Sequence, residues 1–219
     1  MHSLDKRIFI SKNAPEVEPY RIQFEEKGYS IVSHSFLSFA PVDFEITEAY
    51  DAVFFGSPRA VIFFKACQAI PENKRIACVG GKTAELLEAL GHSVDFVGAK
   101  SGEPMLVAEE FKGWLAERRV LFPISDRSLK TISSAIDVDY KEEVVVYSTE
   151  VKGKVIPPCD AYVFTSPSNV DGFLMENVLP AGTKVIAWGK STEKVLEECG
   201  VEVWKTLEKS GFEGLINHL

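Results

Sequence analysis

Apolar runs four or five residues long recur along the chain, each followed by small polar residues and then by apolar positions at helical spacing. The clearest is Asp160-Ala161-Tyr162-Val163-Phe164-Thr165-Ser166-Pro167-Ser168-Asn169-Val170. The run has the length of a strand covered on both faces. Thr-Ser-Pro-Ser-Asn then supplies N-cap side chains, and a proline whose missing N–H costs nothing at a helix start. Nearly the same text occurs 109 residues earlier, as Asp51-Ala52-Val53-Phe54-Phe55-Gly56-Ser57-Pro58-Arg59-Ala60-Val61. A second motif keeps that offset: Gly80, Thr83, Leu87, Glu88 and Gly91 return as Gly189, Thr192, Leu196, Glu197 and Gly200. Two motifs at one offset predict two similar α/β units.

Taken in order, the pattern predicts strands at 7–10, 30–33, 51–55, 75–79, 94–97, 120–122, 143–147, 160–164, 184–188 and 201–204. Helices are predicted at 18–27, 59–69, 84–90, 103–117, within 125–136, at 170–179, at 193–199 and from 212. The first is expected to use Tyr20, Ile22 and Phe24 as its apolar positions, and the fourth Leu106, Val107, Phe111, Trp114 and Leu115. Segments 36–44 and 148–158 read as linkers. Alternation of strand and helix predicts an α/β fold: two similar domains with mostly parallel sheets flanked by helices. In such sheets the turns after the strands share the carboxyl edge, where ligands bind.

Composition narrows the classes. The chain has 219 residues, 46% of them hydrophobic, enough for one large or two small cores. No apolar run approaches the ~20 residues of a membrane span, and the first residues lack the apolar centre of a secretory signal. A cytoplasmic location and no membrane partner are therefore expected. The formal charge of -8 argues against a nucleic-acid-coating surface. Cys67, Cys78, Cys159 and Cys199 sit in apolar contexts without C-x-x-C spacing and are expected in the core, and the four histidines are isolated. No metal is expected.

Four turns carry the candidate chemistry: 56–59, 80–83, 165–169 and 189–192. A helix start presents unpaired N–H groups and the positive end of a dipole, each carboxylate there gaining roughly 0.3 to 1 kcal/mol. Arg59, Lys82 and Lys190 add charge. Ser57, Thr83, Thr165, Ser166, Ser168, Ser191 and Thr192 either position an anionic ligand or cap their own helices, as any α/β protein requires. Neither G-x-G-x-x-G nor G-x-x-x-x-G-K-[ST] occurs, so a nucleotide cofactor is disfavoured and an elongated polyanion favoured.

The pairing of the two repeated motifs, with Val146-Tyr147-Ser148-Thr149 upstream of the final unit, resembles uroporphyrinogen-III synthase over nearly the whole chain. Arg59 stands where that family commonly has a small or amide residue. The resemblance implies that residues 1–34 plus 150–219 form one α/β domain, with 36–146 as a second, inserted domain and a two-stranded linker joining them. It further implies a cofactor-free, monomeric lyase of tetrapyrrole (haem) biosynthesis. Its substrate would be hydroxymethylbilane, a linear tetrapyrrole with eight carboxylates, cyclised by dehydration with inversion of the last pyrrole ring to uroporphyrinogen III.

On that resemblance Tyr147 is the catalytic candidate. With a reference pKa of ~10, a tyrosine is protonated at neutral pH and can serve a departing hydroxyl. Substrate and protein share a sign of charge, but screening over ~8 Å leaves local donors to decide binding. The competing class is a non-catalytic, two-lobed binding protein for a small anionic ligand. Closure on a ligand without product would identify it.

Overall fold

The computed structural model describes residues 6–100, 102–208 and 211–219. Its elements are β1 (Lys6–Ile10), α1 (Ala14–Val17), α2 (Arg21–Glu26), β2 (Tyr29–Ser33), β3 (Leu37–Pro41), β4 (Ala52–Phe55), α3 (Pro58–Cys67), β5 (Arg75–Cys78), α4 (Gly81–Ala89) and β6 (Phe96–Val97). These are followed by α5 (Pro104–Leu115), β7 (Val120–Ser125), β8 (Lys141–Val151), β9 (Ala161–Phe164), α6 (Pro167–Leu174), β10 (Lys184–Ala187), α7 (Lys190–Glu198), β11 (Lys205–Thr206) and α8 (Phe212–Ile216). The chain divides into two compact units, one of Met1–Ser38 with Glu150–Leu219 and the other of Phe39–Thr149.

In the first unit the sheet order is β11-β10-β9-β1-β2, with parallel neighbours throughout. The two-residue alternation of strand side chains sends Phe9, Tyr162 and Phe164 to one face with Val170, Phe173 and Leu196 of α6 and α7. Ile8, Ile10, Ala161 and Val163 go to the other face, with Phe24 of α2 and Leu215 of α8. A sheet covered on both faces needs such unbroken apolar strands, which is why the four residues of β9 are all buried.

The second unit repeats this plan in a six-stranded sheet of order β3-β8-β7-β4-β5-β6, parallel from β8 to β6. Val53, Phe55, Val61, Phe64 and Leu87 occupy the places that Tyr162, Phe164, Val170, Phe173 and Leu196 hold in the first. The opposite face packs Phe54 and Phe122 against Phe111 of α5. Helices α4 and α7 also end alike. Gly91 and Gly200 take φ of 87° and 75°, and the N–H groups of His92 and Val201 return to the carbonyls of Leu87 and Leu196. That closure satisfies orphan carbonyls and needs a residue tolerant of positive φ.

Several sequence expectations are corrected. The predicted helix at 18–27 is divided into a 3-10 turn over Glu18–Tyr20 and α2, with α1 preceding it, because Pro19 cannot supply the N–H a continuous helix requires. Ile22 lies outward, 70% exposed, while Phe24 is buried. Leu106 of α5 is likewise outside the core, which Val107, Phe111 and Leu115 enter. No α-helix forms within 125–136. There β7 ends, the chain turns, and Ser133–Ala135 makes one 3-10 turn. The strand expected at 201–204 lies instead at Lys205–Thr206, since the Val201 N–H is taken by the end of α7. Of the four cysteines only Cys78 and Cys159 are buried; Cys67 and Cys199 are exposed. Among the described residues no helix is long and apolar enough to cross a membrane.

Candidate functional site

In the first unit the strand order reverses between β1 and β9, the place in an open parallel sheet where ligands enter. The residues just past those two strands are locked together. The Thr165 N–H donates to Ser11 Oγ (2.7 Å), and Thr165 Oγ1 donates to the Ser11 carbonyl (2.8 Å). Ser11 is fully buried, so its side of these bonds is shielded from water. Ser166 is the N-cap of α6 and accepts from the Asn169 N–H. Asn169, 3% exposed, donates Nδ2 to Ser166 Oγ (3.0 Å) and accepts the Phe36 N–H at Oδ1 (2.9 Å). The turn 165–169 is thus a rigid rim. Ser168 stands on it half-buried, with no side-chain bond among the described residues.

The turn 189–192 opens α7 from Gly189, whose carbonyl accepts the N–H groups of Thr192 and Glu193. The N–H groups of Lys190 and Ser191 keep no partner among the described residues, and both side chains are exposed. Thr192 is 2% exposed. Its counterpart Thr83 behaves alike, 1% exposed, with its N–H on the Gly80 carbonyl (3.0 Å), while Lys82 is exposed.

In the second unit Ser57 caps α3, accepting the Ala60 N–H at 3.1 Å. Its backbone angles, φ -166° and ψ 158°, match those of Ser166, φ -162° and ψ 157°. Arg59, in the first turn of α3, is exposed and lies flat over Phe39, its Cζ 3.6 Å from the ring centroid. Phe39 meets Tyr147 edge-on (6.1 Å, 70°), and Phe63, one turn along α3, stacks on Tyr147 (5.0 Å, 20°). Tyr147 is 8% exposed. Its hydroxyl has no partner among the described residues, yet the buried side-chain oxygens lacking one are Ser38 Oγ and Thr206 Oγ1 only. The Tyr147 hydroxyl therefore reaches solvent while its ring is clamped.

The structure thus brings Arg59 and Tyr147 into one cluster with Ser57 at its helix start. Ser166 and Ser168 form a second group, Lys190 and Ser191 a third, and Lys82 stands at the fourth turn. Thr165 is not a free donor, because its hydroxyl already bonds the Ser11 carbonyl, whereas the Thr83 and Thr192 hydroxyls make no side-chain hydrogen bond among the described residues although little of either residue is exposed. Phe39, Phe63 and Ser11 are not site candidates from sequence, and Asn169 enters there only as part of the capping turn 165–169. Ser11 had a legible signal, a small hydroxyl directly after an apolar strand. The two phenylalanines had none.

Charges near these turns are modest. Burial, with Lys154 nearby, lowers the pKa of His34 at the end of β2. Burial raises the Cys78 thiol, which donates to the Gly80 carbonyl at 3.6 Å. Burial would also raise Glu143, but hydrogen bonds from Lys130 and Ser133 hold it below the ordinary carboxylate value. A hollow of about 320 Å3 opens at the carboxyl edge of the second unit beside Gly56, Pro104, Ile124 and Lys130. Two of about 500 Å3 lie at the opposite edge, at equivalent places in the repeat with unlike side chains, Lys184 and Trp204 against Arg75 and Asp95. They are gaps left by a repeated turn rather than one site kept twice. No group of three or more metal-ligating side chains occurs among the described residues.

A family model described as Uroporphyrinogen-III synthase HemD matches residues 18–217. Among solved structures, uroporphyrinogen-III synthetase from Helicobacter pylori superposes with a TM-score of 0.72 at 18% identity, covering 97% of both chains. A mutant uroporphyrinogen III synthase from the extremely thermophilic bacterium Thermus thermophilus gives 0.56 at 13% identity, covering 97% of this chain and 96% of that one. At these identities the superpositions speak for the fold. Comparison with curated proteins by sequence finds no match.

Proposed function

The chain belongs to the uroporphyrinogen-III synthase family, and from that premise we propose that it closes hydroxymethylbilane to uroporphyrinogen III, as a cofactor-free lyase of tetrapyrrole biosynthesis. The observation that carries the chemistry is Tyr147, a tyrosine with a clamped ring and an unpartnered hydroxyl that reaches solvent. Its O–H donates to the hydroxyl leaving the terminal hydroxymethyl group. The C–O bond breaks, water departs with that proton, and the pyrrole nitrogen's electron pair stabilises the cation left behind. The substituted carbon of the last ring attacks that cation to give a spiro centre, its original bond to the neighbouring bridge carbon breaks to leave a second pyrrole-stabilised cation, and the ring's free α carbon bonds to that bridge, which inverts the ring. Cyclisation finally releases a proton from carbon, which balances the one lost from the tyrosine.

The remaining task is positioning. Bringing one carbon of a flexible chain to the cation ahead of its neighbour is a matter of effective concentration, and binding the carboxylates supplies it. The free N–H groups at Lys190 and Ser191, with Ser57, Arg59, Lys82, Ser166, Ser168 and Lys190 side chains, are suited to hold them. Thr83, Thr165 and Thr192 serve these sites from behind, fixing the helix starts. The protein works as a monomer in the cytoplasm, with no nucleic-acid partner, in keeping with its net charge of -8. The test is the isomer ratio formed from hydroxymethylbilane. Isomer III must exceed the spontaneous isomer I in proportion to enzyme, and pure isomer I at high enzyme concentration would refute the reading.

A further inference from the structure

The cluster around Arg59 has no counterpart in the other copy of the repeat. The offset of 109 pairs Arg59 with Ser168 and Phe63 with Gly172. In the first unit a side chain at 172 has no room, since a Cβ there would lie 2.3 Å from Phe36 Cβ. The two helix starts share a capping serine with matching backbone angles, yet among the described residues one of them alone carries a stacked arginine and a stacked tyrosine.

The state of the arginine is informative. Among the described residues Arg59 has no ion pair and no hydrogen bond. The flat face of the guanidinium rests on Phe39, which leaves the N–H groups around its edge without a partner. A guanidinium held by its face and free at its edge suits a planar carboxylate taken through two parallel bonds. Stacking also removes rotamer freedom before the ligand arrives, so less entropy is lost on binding. Phe39 touches the edge of Tyr147, and Phe63, on the same helix as Arg59, covers the tyrosine's face. Fork and hydroxyl are therefore fixed by one pair of phenylalanines.

We infer that Arg59 is a specificity-determining residue that binds a carboxylate of the substrate ring bearing the hydroxymethyl group, with Phe39 as its positioning residue. That ring then lies beside Tyr147, which shares Phe39 with the arginine. The inference rests on hydroxymethylbilane being the substrate. Its role is in binding, so it acts on KM and leaves the chemical step alone.

The experiment compares wild type with R59Q, R59K and F39L. It measures kcat and KM for hydroxymethylbilane, and separately Kd for uroporphyrin III, an octacarboxylate, by fluorescence quenching. R59Q is expected to raise KM and Kd about tenfold with kcat within about twofold and an unchanged Tm, a factor typical of one charge-assisted contact. R59K recovers only part of the loss, since an ammonium cannot offer two parallel donors while lying on a ring. F39L, which keeps the charge, raises KM by about threefold. R59Q with KM and Kd within twofold of wild type overturns the inference, as does a wild type that binds no uroporphyrin. Pure isomer I from wild type refutes the reaction instead, and the Kd comparison then decides the arginine by itself.

Discussion

The carboxylate of Asp160 accepts the main-chain N–H of Arg7 at 2.7 Å, and the Asp160 N–H donates to the Arg7 carbonyl at 2.8 Å. The pair ties the start of β9 to the start of β1 across 153 residues. Asp51 does the same for β4 and β7, accepting the Arg119 N–H at 3.0 Å and donating to the Arg119 carbonyl at 2.9 Å. The aspartate that opens each repeated motif is thus a strand clamp. Asp160→Ala and Asp51→Ala should each destabilise by about 1 kcal/mol, as one charge-assisted bond in a partly wet place is worth. Asparagine should recover much of the loss. Urea midpoints would test this, and no change in either midpoint would count against the clamp.

Tyr147→Phe removes a hydroxyl that makes no internal bond, so the fold should be indifferent while the reaction is not. We expect kcat to fall by about 10²-fold, the range of a positioned acid, with KM within threefold and Tm within about 2 °C. Isomer analysis of the products measures it. An unchanged kcat would remove the tyrosine from the chemistry.

Two glycines separate backbone conformation from space. Gly200 has φ of 75° and nothing within 4 Å of a would-be Cβ, so Gly200→Ala carries only the left-handed penalty, about 1 kcal/mol. Gly172 sits in α6, with a would-be Cβ 2.3 Å from Phe36 Cβ and 3.0 Å from Val151 Cγ1. Gly172→Ala must displace packed side chains and should cost about 3 kcal/mol. Denaturant melts of the two variants should fall in that order.

The thiols predict an alkaline limit. Burial lifts Cys159 from 9.0 to about 11 and also raises Cys78 and Tyr162. Each acid is held protonated by the fold and loses its proton first when unfolded. Their contribution is therefore intact below pH 9 and declines as pH rises toward 11, Cys159 alone by on the order of 2 kcal/mol. Melting temperature against pH measures the decline. At pH 8 a thiol reagent should label Cys67 and Cys199 quickly, and Cys78 and Cys159 only after unfolding.

The repeat was legible because its strands are buried on both faces and its caps and C-terminal glycines are set by local rules. Ser57, Ser166, Gly91 and Gly200 all do what their residue types dictate. The segment 125–136 was not legible. Its hydrophobic spacing is helical, but Ser125 continues β7 into pairing with Tyr147, and Lys130 turns at φ of 55°. Glu143 then holds the loop through Lys130 (2.6 Å) and Ser133 (2.6 Å). Those partners lie on another strand, beyond the reach of local pattern. At the site, charge and hydroxyl positions could be read off the turns, whereas Tyr147 entered through family resemblance alone. The phenylalanines that orient it look in sequence like any other core residue.

The order β11-β10-β9-β1-β2 has a consequence for synthesis. Strand β1 can pair with β2 as soon as both leave the ribosome, but its other edge, Ile8 to Ile10, waits for Ala161 to Val163. At the ~5–20 residues per second of translation, that interval lasts on the order of ten seconds. The six-stranded sheet, by contrast, lies within residues 37–151 and can complete its pairing during the wait. The nascent chain thus carries an open apolar strand edge for most of its elongation, the condition under which holding chaperones act. Truncations ending before β9 should aggregate, even though they contain every strand of the second unit.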